Sequence, residues 1–475
     1  MARPFPDHPN LRGGYAPIQM ECDAPDLIIE GEIPPELEGT LYRIGPNPQF
    51  APRGPYHWFA GDGMIHSFEI RNSRVSYKNR WVRTTNWTLE RAAGEALFSP
   101  LNPMLNDPSV AKIKTDGIAN TNVVWHAGKL FALVESHAPF EISPKDLGSI
   151  GPWDFNGKLT SAMTAHPKID PETGEMLFFA YNADPKERIS SRMALHKVDK
   201  NGVLTSSEFF DAPYSAMVHD FITTRDHIIF PIMPLTSSME RAMQGESLYA
   251  WDPTNRSYIG IMPRSGSVSD IKWFEGDPAY VFHPMNAHND GNKITCDVCE
   301  YEEAPLFPHA DGSEPDPDKS TANLTRWTFD LNANTNTYKR TQIDDTISEF
   351  PRLDERFTGL KYRYGYFACS VEGGAVGKRY NGLGRIDHNR DKVEIYSMSE
   401  QFAVSEPVFV PRTEKSQEGE GFLLATVYDA AIDKSFLLVL DAENIEKGPI
   451  GKAMLDHRVP FGFHGNWKPG NFQKY

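Results

Sequence analysis

Residues 122–135 read NVVWHAGKLFALVE. Two apolar runs, NVVW and LFALV, flank HAGK, where a glycine allows the chain to reverse tightly. Each run is rich in Val, Trp, Phe and Leu and too short for a helix, so the segment reads as two adjacent strands. The same pattern recurs along the chain in MIHSFEI, MLFFAYN, HIIFPIM, SLYAWD, AYVFHPM, KITCDVCEY, NLTRWTFD, KVEIYSM and SFLLVLDA. Turn signals DPTNRS, DLNANTN and DHNRDK separate further runs. Dense, regular punctuation of this kind predicts an all-β sandwich or propeller. Over 475 residues, radial repetition protects sheet edges better than a sandwich does, which favours a propeller. No crisp blade repeat appears, so the residues alone do not count the blades.

Two segments break the pattern. TLERAAGEALF (88–98) spaces Leu89, Ala93 and Leu97 four apart with Thr88 placed to cap it, and TSSMERAMQGE (236–246) also reads as helical. Both are expected as short inserts over one end of a propeller. The polar, acidic, proline-containing stretch 305–320 is expected as a surface loop, because strand-like sequence resumes on both sides. One domain spanning 1–475 follows.

Hydrophobic residues make up 40% and charged residues 24% of the chain, the balance of a soluble globular protein with a sizeable core. A formal charge of −16 excludes the basic footprint of a nucleic-acid binder. MARPFPDHPNLRGG carries no apolar signal core, and no stretch approaches the run of about 18 apolar residues of a spanning helix. A cytoplasmic location is expected. Cys22, Cys296, Cys299 and Cys369 make no disulfide framework. Cys296 and Cys299 form a CxxC within an alternating run, and residues three apart on a strand face opposite ways.

Four histidines stand in apolar or small-residue contexts: His166 in TSAMTAHPKID, His219 in YSAMVHDFI, His283 in YVFHPMNA and His464 in VPFGFHGNW. No two have the i, i+4 spacing of a helical metal site. If they meet, the fold must bring four distant strand ends to one point. Imidazoles are neutral ligands, so such a site would leave a divalent first-row metal its full charge. His57, His66, His126, His288 and His457 have equally plausible settings, and composition does not choose among them. Metal-bound imidazoles usually give their other N–H to a carboxylate, which draws notice to Glu135, Glu349 and Glu406 beside apolar or aromatic residues. GDGM (61–64) lacks the Lys-Ser/Thr of a phosphate loop, DHNRDK lacks calcium-loop spacing, and no GxSxG elbow occurs.

EGEIPPELEGTLYRIGPNPQF and YHWFAGDGMIHSFEI, together with the four histidine motifs, resemble the carotenoid cleavage oxygenases. EFPRLDERFTGLKYRYGY and EPVFVPR resemble that family's glutamate-bearing segments, and the likeness runs from about residue 25 to the end. The resemblance implies a seven-bladed β-propeller with a helical and loop dome. It also implies Fe(II) held by His166, His219, His283 and His464, with Glu135, Glu349 and Glu406 bonded to the last three. Thr121 would lie close to the iron and obstruct one position, and Phe59 and Phe307 would form aromatic walls for a conjugated substrate. IIFPIMPLTSS and WDPTNRSYIGIMPRSG are most similar to the bacterial branch that cleaves lignostilbenes, resveratrol-type stilbenes and isoeugenol-type phenylpropenes. That implies O2-dependent scission of an aryl alkene into two carbonyl products. Stilbene-cleaving members hold the substrate phenol with a lysine and a tyrosine. Here Val134 takes the lysine position, and the dome segment LFSPLNPML has no tyrosine. An apocarotenoid substrate is therefore the alternative. A calcium or zinc hydrolase and a non-catalytic isoprenoid-binding propeller are the rival classes.

Overall fold

In the computed structural model, the hairpin read first from the sequence forms. Asn122–His126 pairs antiparallel with Lys129–Leu133, placing Val123 opposite Ala132 and Val124 opposite Phe131. Ala127 (φ +49°) and Gly128 (φ +82°) both turn left-handed, the backbone that a two-residue hairpin turn needs. Phe140–Ile142 and Ser149–Pro152 extend the ladder into a four-stranded sheet.

The structure describes residues 3–371 and 379–470. The chain forms two compact units, one of Met1–Trp153, Tyr366–Ile386 and Lys392–Tyr475, the other of Asp154–Gly365 and Asp387–Asp391. In the first unit, the chain termini exchange strands. Gly465–Pro469 pairs with Gly39–Pro46, so a C-terminal strand completes an N-terminal sheet. Ile28–Gly31 pairs with Pro449–Met454, so an N-terminal strand completes a C-terminal sheet. Phe68, Val75, Leu424, Leu437 and Val439 fill the space between these two sheets and are essentially inaccessible to water. Burying each such side chain contributes about 1.5–3 kcal/mol.

In the second unit, two four-stranded meanders follow each other, Lys168–Ile169 to Leu204–Asp211 and Ile222–Thr223 to Lys272–Gly276. Phe179, Leu195, Phe221, Ile228 and Phe230 pack between them. A third meander runs through Tyr280–Asp290, Lys293–Tyr301, Ala322–Asp330 and Lys339–Leu353. Cys296 and Cys299 lie buried on Lys293–Tyr301 as free thiols.

The helical inserts are shorter than expected. The first spans Thr85–Ala93 and is capped by Thr84, whose hydroxyl accepts from Trp87 N at 3.2 Å, in place of Thr88. It stops at Gly94, in left-handed backbone at φ +76°, and Glu90 then accepts from the amides of Leu97 and Phe98. Leu97 therefore belongs to the chain folding back, not to the helix. The second spans Met239–Met243, because Thr236 and Ser237 are used in a strand paired with Tyr249–Trp251.

Candidate metal centre

Each of the four histidines sits at the edge strand of its own sheet. His166 precedes Lys168–Ile169, His219 precedes Ile222–Thr223, His283 lies within Tyr280–Asp290, and His464 immediately precedes Gly465–Pro469. The register against Lys293–Tyr301 shifts on both sides of Pro284, and a bulge of this kind re-aims the side chains around it.

In the second unit, Nε2 of His219 lies 3.0 Å from Nε2 of His166 and 3.1 Å from Nε2 of His283. All three rings are buried. The Nδ1 of His283 donates to Glu349 Oε2 at 2.5 Å. An ionised carboxylate only accepts, so this bond puts the proton on Nδ1 and leaves the Nε2 lone pair pointing away from it, toward His219. Phe350 adopts φ +50°, donates its N–H to Glu349 and stacks on the His283 ring at 5.2 Å. A bulky residue in left-handed backbone is strained, and here the strain sets the glutamate against its histidine. The attraction of His283 keeps Glu349 below the usual carboxylate range although burial, the largest influence, opposes it.

In the first unit, His464 is held in the same way. Its Nδ1 donates to Glu406 Oε1 at 2.9 Å, and the next amide, Gly465 N, donates to Glu406 Oε2 at 2.9 Å. Its own backbone N–H donates to the carbonyl of Thr121 at 3.3 Å. Gly465 is required here: a Cβ would lie 2.5 Å from the carbonyl oxygen of Tyr42 on the paired strand.

Within the second unit, the imidazole nitrogens of His166, His219 and His283 lie close enough together to hold one metal ion. Two nitrogens each about 2.1 Å from one ion lie about 3.0 Å apart at a right angle and about 3.4 Å apart at the tetrahedral angle. The observed 3.0 and 3.1 Å match the right angle, so the donors fit a metal that keeps positions open better than a closed tetrahedral site.

The Retinal pigment epithelial membrane protein family model matches residues 15–469. The chain belongs to the carotenoid cleavage oxygenase family. It is 38% identical to isoeugenol monooxygenase of Pseudomonas putida, with 98% of each chain covered. It is 36% identical to lignostilbene-alpha,beta-dioxygenase isozyme III of Sphingomonas paucimobilis, with 98% of this chain and 97% of the relative covered. The crystal structure of Pseudomonas brassicacearum lignostilbene dioxygenase superposes with a TM-score of 0.94 at 33% identity, covering 99% of this chain and 100% of that one. The chain is thus an oxygenase of this iron-dependent family, with its seven-bladed β-propeller fold.

Other residues expected at a carotenoid cleavage oxygenase site are placed as follows. Glu135 lies just past Lys129–Leu133 and is half-buried. Thr121 is half-buried and donates its hydroxyl to Asn120 at 3.0 Å, one backbone hydrogen bond from His464. Phe59 packs edge-on to Phe463, the residue before His464, at 5.4 Å. Phe307 is buried beside Tyr249 at 6.1 Å. Val134 packs toward Gly117. The structure adds Asp220, which sequence reading did not single out. It is buried, its carboxylate lies 3.7 Å from Nδ1 of His166, and Lys168 pairs with it at 2.8 Å. The available signal was its place directly after His219. Competing histidines have other work: His66 bonds Tyr77 at 2.7 Å, and His57 accepts from the amide of Phe59.

Among the described residues, no helix is long and apolar enough to cross a membrane.

Proposed function

We propose that this chain is a non-haem Fe(II) dioxygenase that cleaves a conjugated C=C bond of an aryl alkene of stilbene or phenylpropene type. One O2 is consumed per alkene, and each former alkene carbon takes one oxygen atom, giving two carbonyl products without a further reductant. The convergence of buried imidazole nitrogens whose far sides are held by carboxylates carries the reading. Relatives matched over nearly their whole length, whose names refer to isoeugenol and lignostilbene, support the substrate class.

In this reading, His166, His219, His283 and His464 hold Fe(II), which when bound activates O2 toward the alkene. Glu349 and Glu406 keep Nδ1 protonated and Nε2 aimed inward, and Glu135 does the same for His219. Thr121 restricts one position beside the metal. Phe59 and Phe307 flank the conjugated substrate, fixing it near the reacting centre and excluding water. The protein works as one domain in the cytoplasm, with a small apolar substrate and O2 as its partners and no nucleic acid.

Val134 cannot hydrogen-bond a phenol, which favours a 4-methoxyaryl alkene over a free phenol and makes an apocarotenoid the second reading. The test is anaerobic Fe(II) reconstitution, then O2 uptake and product mass spectrometry with 4-hydroxystilbene, its 4-methoxy analogue, isoeugenol and an apocarotenal. Uptake equal to alkene consumed, with two aldehydes formed, is expected for the aryl alkenes. Turnover of the apocarotenal alone would move the assignment to that class, and no uptake with any of them would leave a binding protein.

A further inference from the structure

In the second unit, two successive residues, His219 and Asp220, meet the two nitrogens of the His166 ring. Nε2 of His219 lies 3.0 Å from Nε2 of His166, and the Asp220 carboxylate lies 3.7 Å from Nδ1. Both His166 and Asp220 are buried. Three contacts fix the acid. Lys168, two residues after His166, pairs with Oδ1 at 2.8 Å and with Oδ2 at 3.0 Å, and the amide of Phe221 donates to Oδ1 at 2.6 Å. The Lys168 ammonium itself lies 5.8 Å from the Phe221 ring centre.

Burial disfavours a carboxylate and raises the Asp220 pKa, with the Lys168 ammonium the main opposing influence. A buried ion pair adds little net stability over well-packed apolar residues, so folding alone does not account for this one. Its place beside His166 does. At 3.7 Å the contact is longer than a hydrogen bond. An anion at that distance in a buried site still favours the ring tautomer that carries its proton on Nδ1. That tautomer leaves the Nε2 lone pair for a cation, as the Glu349 bond does for His283.

We propose that Asp220, clamped by Lys168, positions His166 for the metal by holding its proton on Nδ1 and freeing Nε2. Asp220 is a positioning residue, acting through the histidine. Because the ammonium shares the carboxylate and the contact is longer, its effect on the metal is smaller than that of Glu349. This role rests on the proposed iron site, whose failure the wild-type protein alone would reveal.

The test is anaerobic titration of the metal-free protein, wild type and Asp220→Asn. Fe(II) is titrated against a competing chelator, and Co(II) is followed by its visible d–d bands. Asn is nearly isosteric, but its amide can donate to Nδ1 and stabilise the opposite tautomer. D220N should lose about 10-fold in affinity for both ions, the low end for a carboxylate behind a ligand histidine, and its Co(II) bands should shift. Where D220N does not fold, Lys168→Met carries the test, since the part-buried ammonium holds the acid in place. The same direction of loss and a band shift are expected there. A lower Tm with wild-type affinity and unshifted bands would make the pair purely structural and overturn the proposal. A wild type that binds neither ion would overturn the iron site itself, and this role with it.

Discussion

Two sets of histidines in this protein differ in the partners their rings meet. His196 bonds Ser161 through Nε2 and Ser207 through Nδ1, each at 2.8 Å, and burial holds its pKa down at about 4. His66 and His457 share the hydroxyl of Tyr77. The partners of these rings are neutral hydroxyls. At the candidate metal centre, His283 and His464 give Nδ1 to carboxylates, and Nε2 of His219 lies 3.0 and 3.1 Å from the Nε2 atoms of His166 and His283. Only the second arrangement brings imidazole nitrogens close enough to share a cation. His196 and His66 are as buried as the candidate ligands and His457 is half-buried; the partner chemistry separates the sets.

The largest expected effect tests that separation directly. His283→Ala and His464→Ala should lose bound iron and alkene turnover, whereas His196→Ala should keep stoichiometric iron and lose only stability. Metal analysis of the purified variants checks this, and iron retained in H283A would break the distinction. Next in size, Glu349→Gln and Glu406→Gln should weaken iron binding or lower kcat/KM by roughly 10- to 100-fold, as expected when a carboxylate behind a ligand histidine is lost. Iron titration read beside turnover distinguishes them from purely structural glutamates, which would leave both unchanged. Smaller again, Tyr77→Phe should cost about 1–3 kcal/mol by leaving His66 and His457 without their shared hydroxyl, with iron content unaltered. Denaturant unfolding and iron analysis on the same preparation test it.

The smallest effect concerns two acids of the first unit, Asp62 and Glu90. Burial, with repulsion from Asp62 adding, pushes the Glu90 carboxyl up to about 7, and burial pushes Asp62 up to about 6. Both values exceed the ordinary carboxylate values of 4.5 and 3.8, so the folded protein binds more protons than the unfolded chain in that interval. Their contribution to stability is therefore full below about pH 4 and is lost as pH rises through 7. Glu90→Gln should flatten the decline between pH 5 and 8 in urea unfolding. An unchanged slope would show that Glu90 ionises normally.

The strand grammar was legible because its causes are local. The hairpin at 122–135 needs only β-forming residues around Ala127 and Gly128, and it forms where it was read. The helix ends were not legible to the residue, because Thr84 and Thr88 are equal as candidate caps until the chain shows which hydroxyl reaches an orphan amide. The pairings of His283 with Glu349 and His464 with Glu406 were available through family resemblance, and the structure shows both bonds. Asp220 was missed: a carboxylate next to a histidine in sequence reveals nothing about a different histidine fifty-four residues away.

Residue order was enough for the all-β architecture and the four histidine contexts, since each depends on composition or on neighbours a few positions apart. Which of the 15 histidines come together, as His166, His219 and His283 do, and which of their nitrogens face one another, depended on how distant strands of the second unit are folded. Ligation depends on distances between side-chain atoms, and a linear pattern does not carry distances between strands that are remote in the chain.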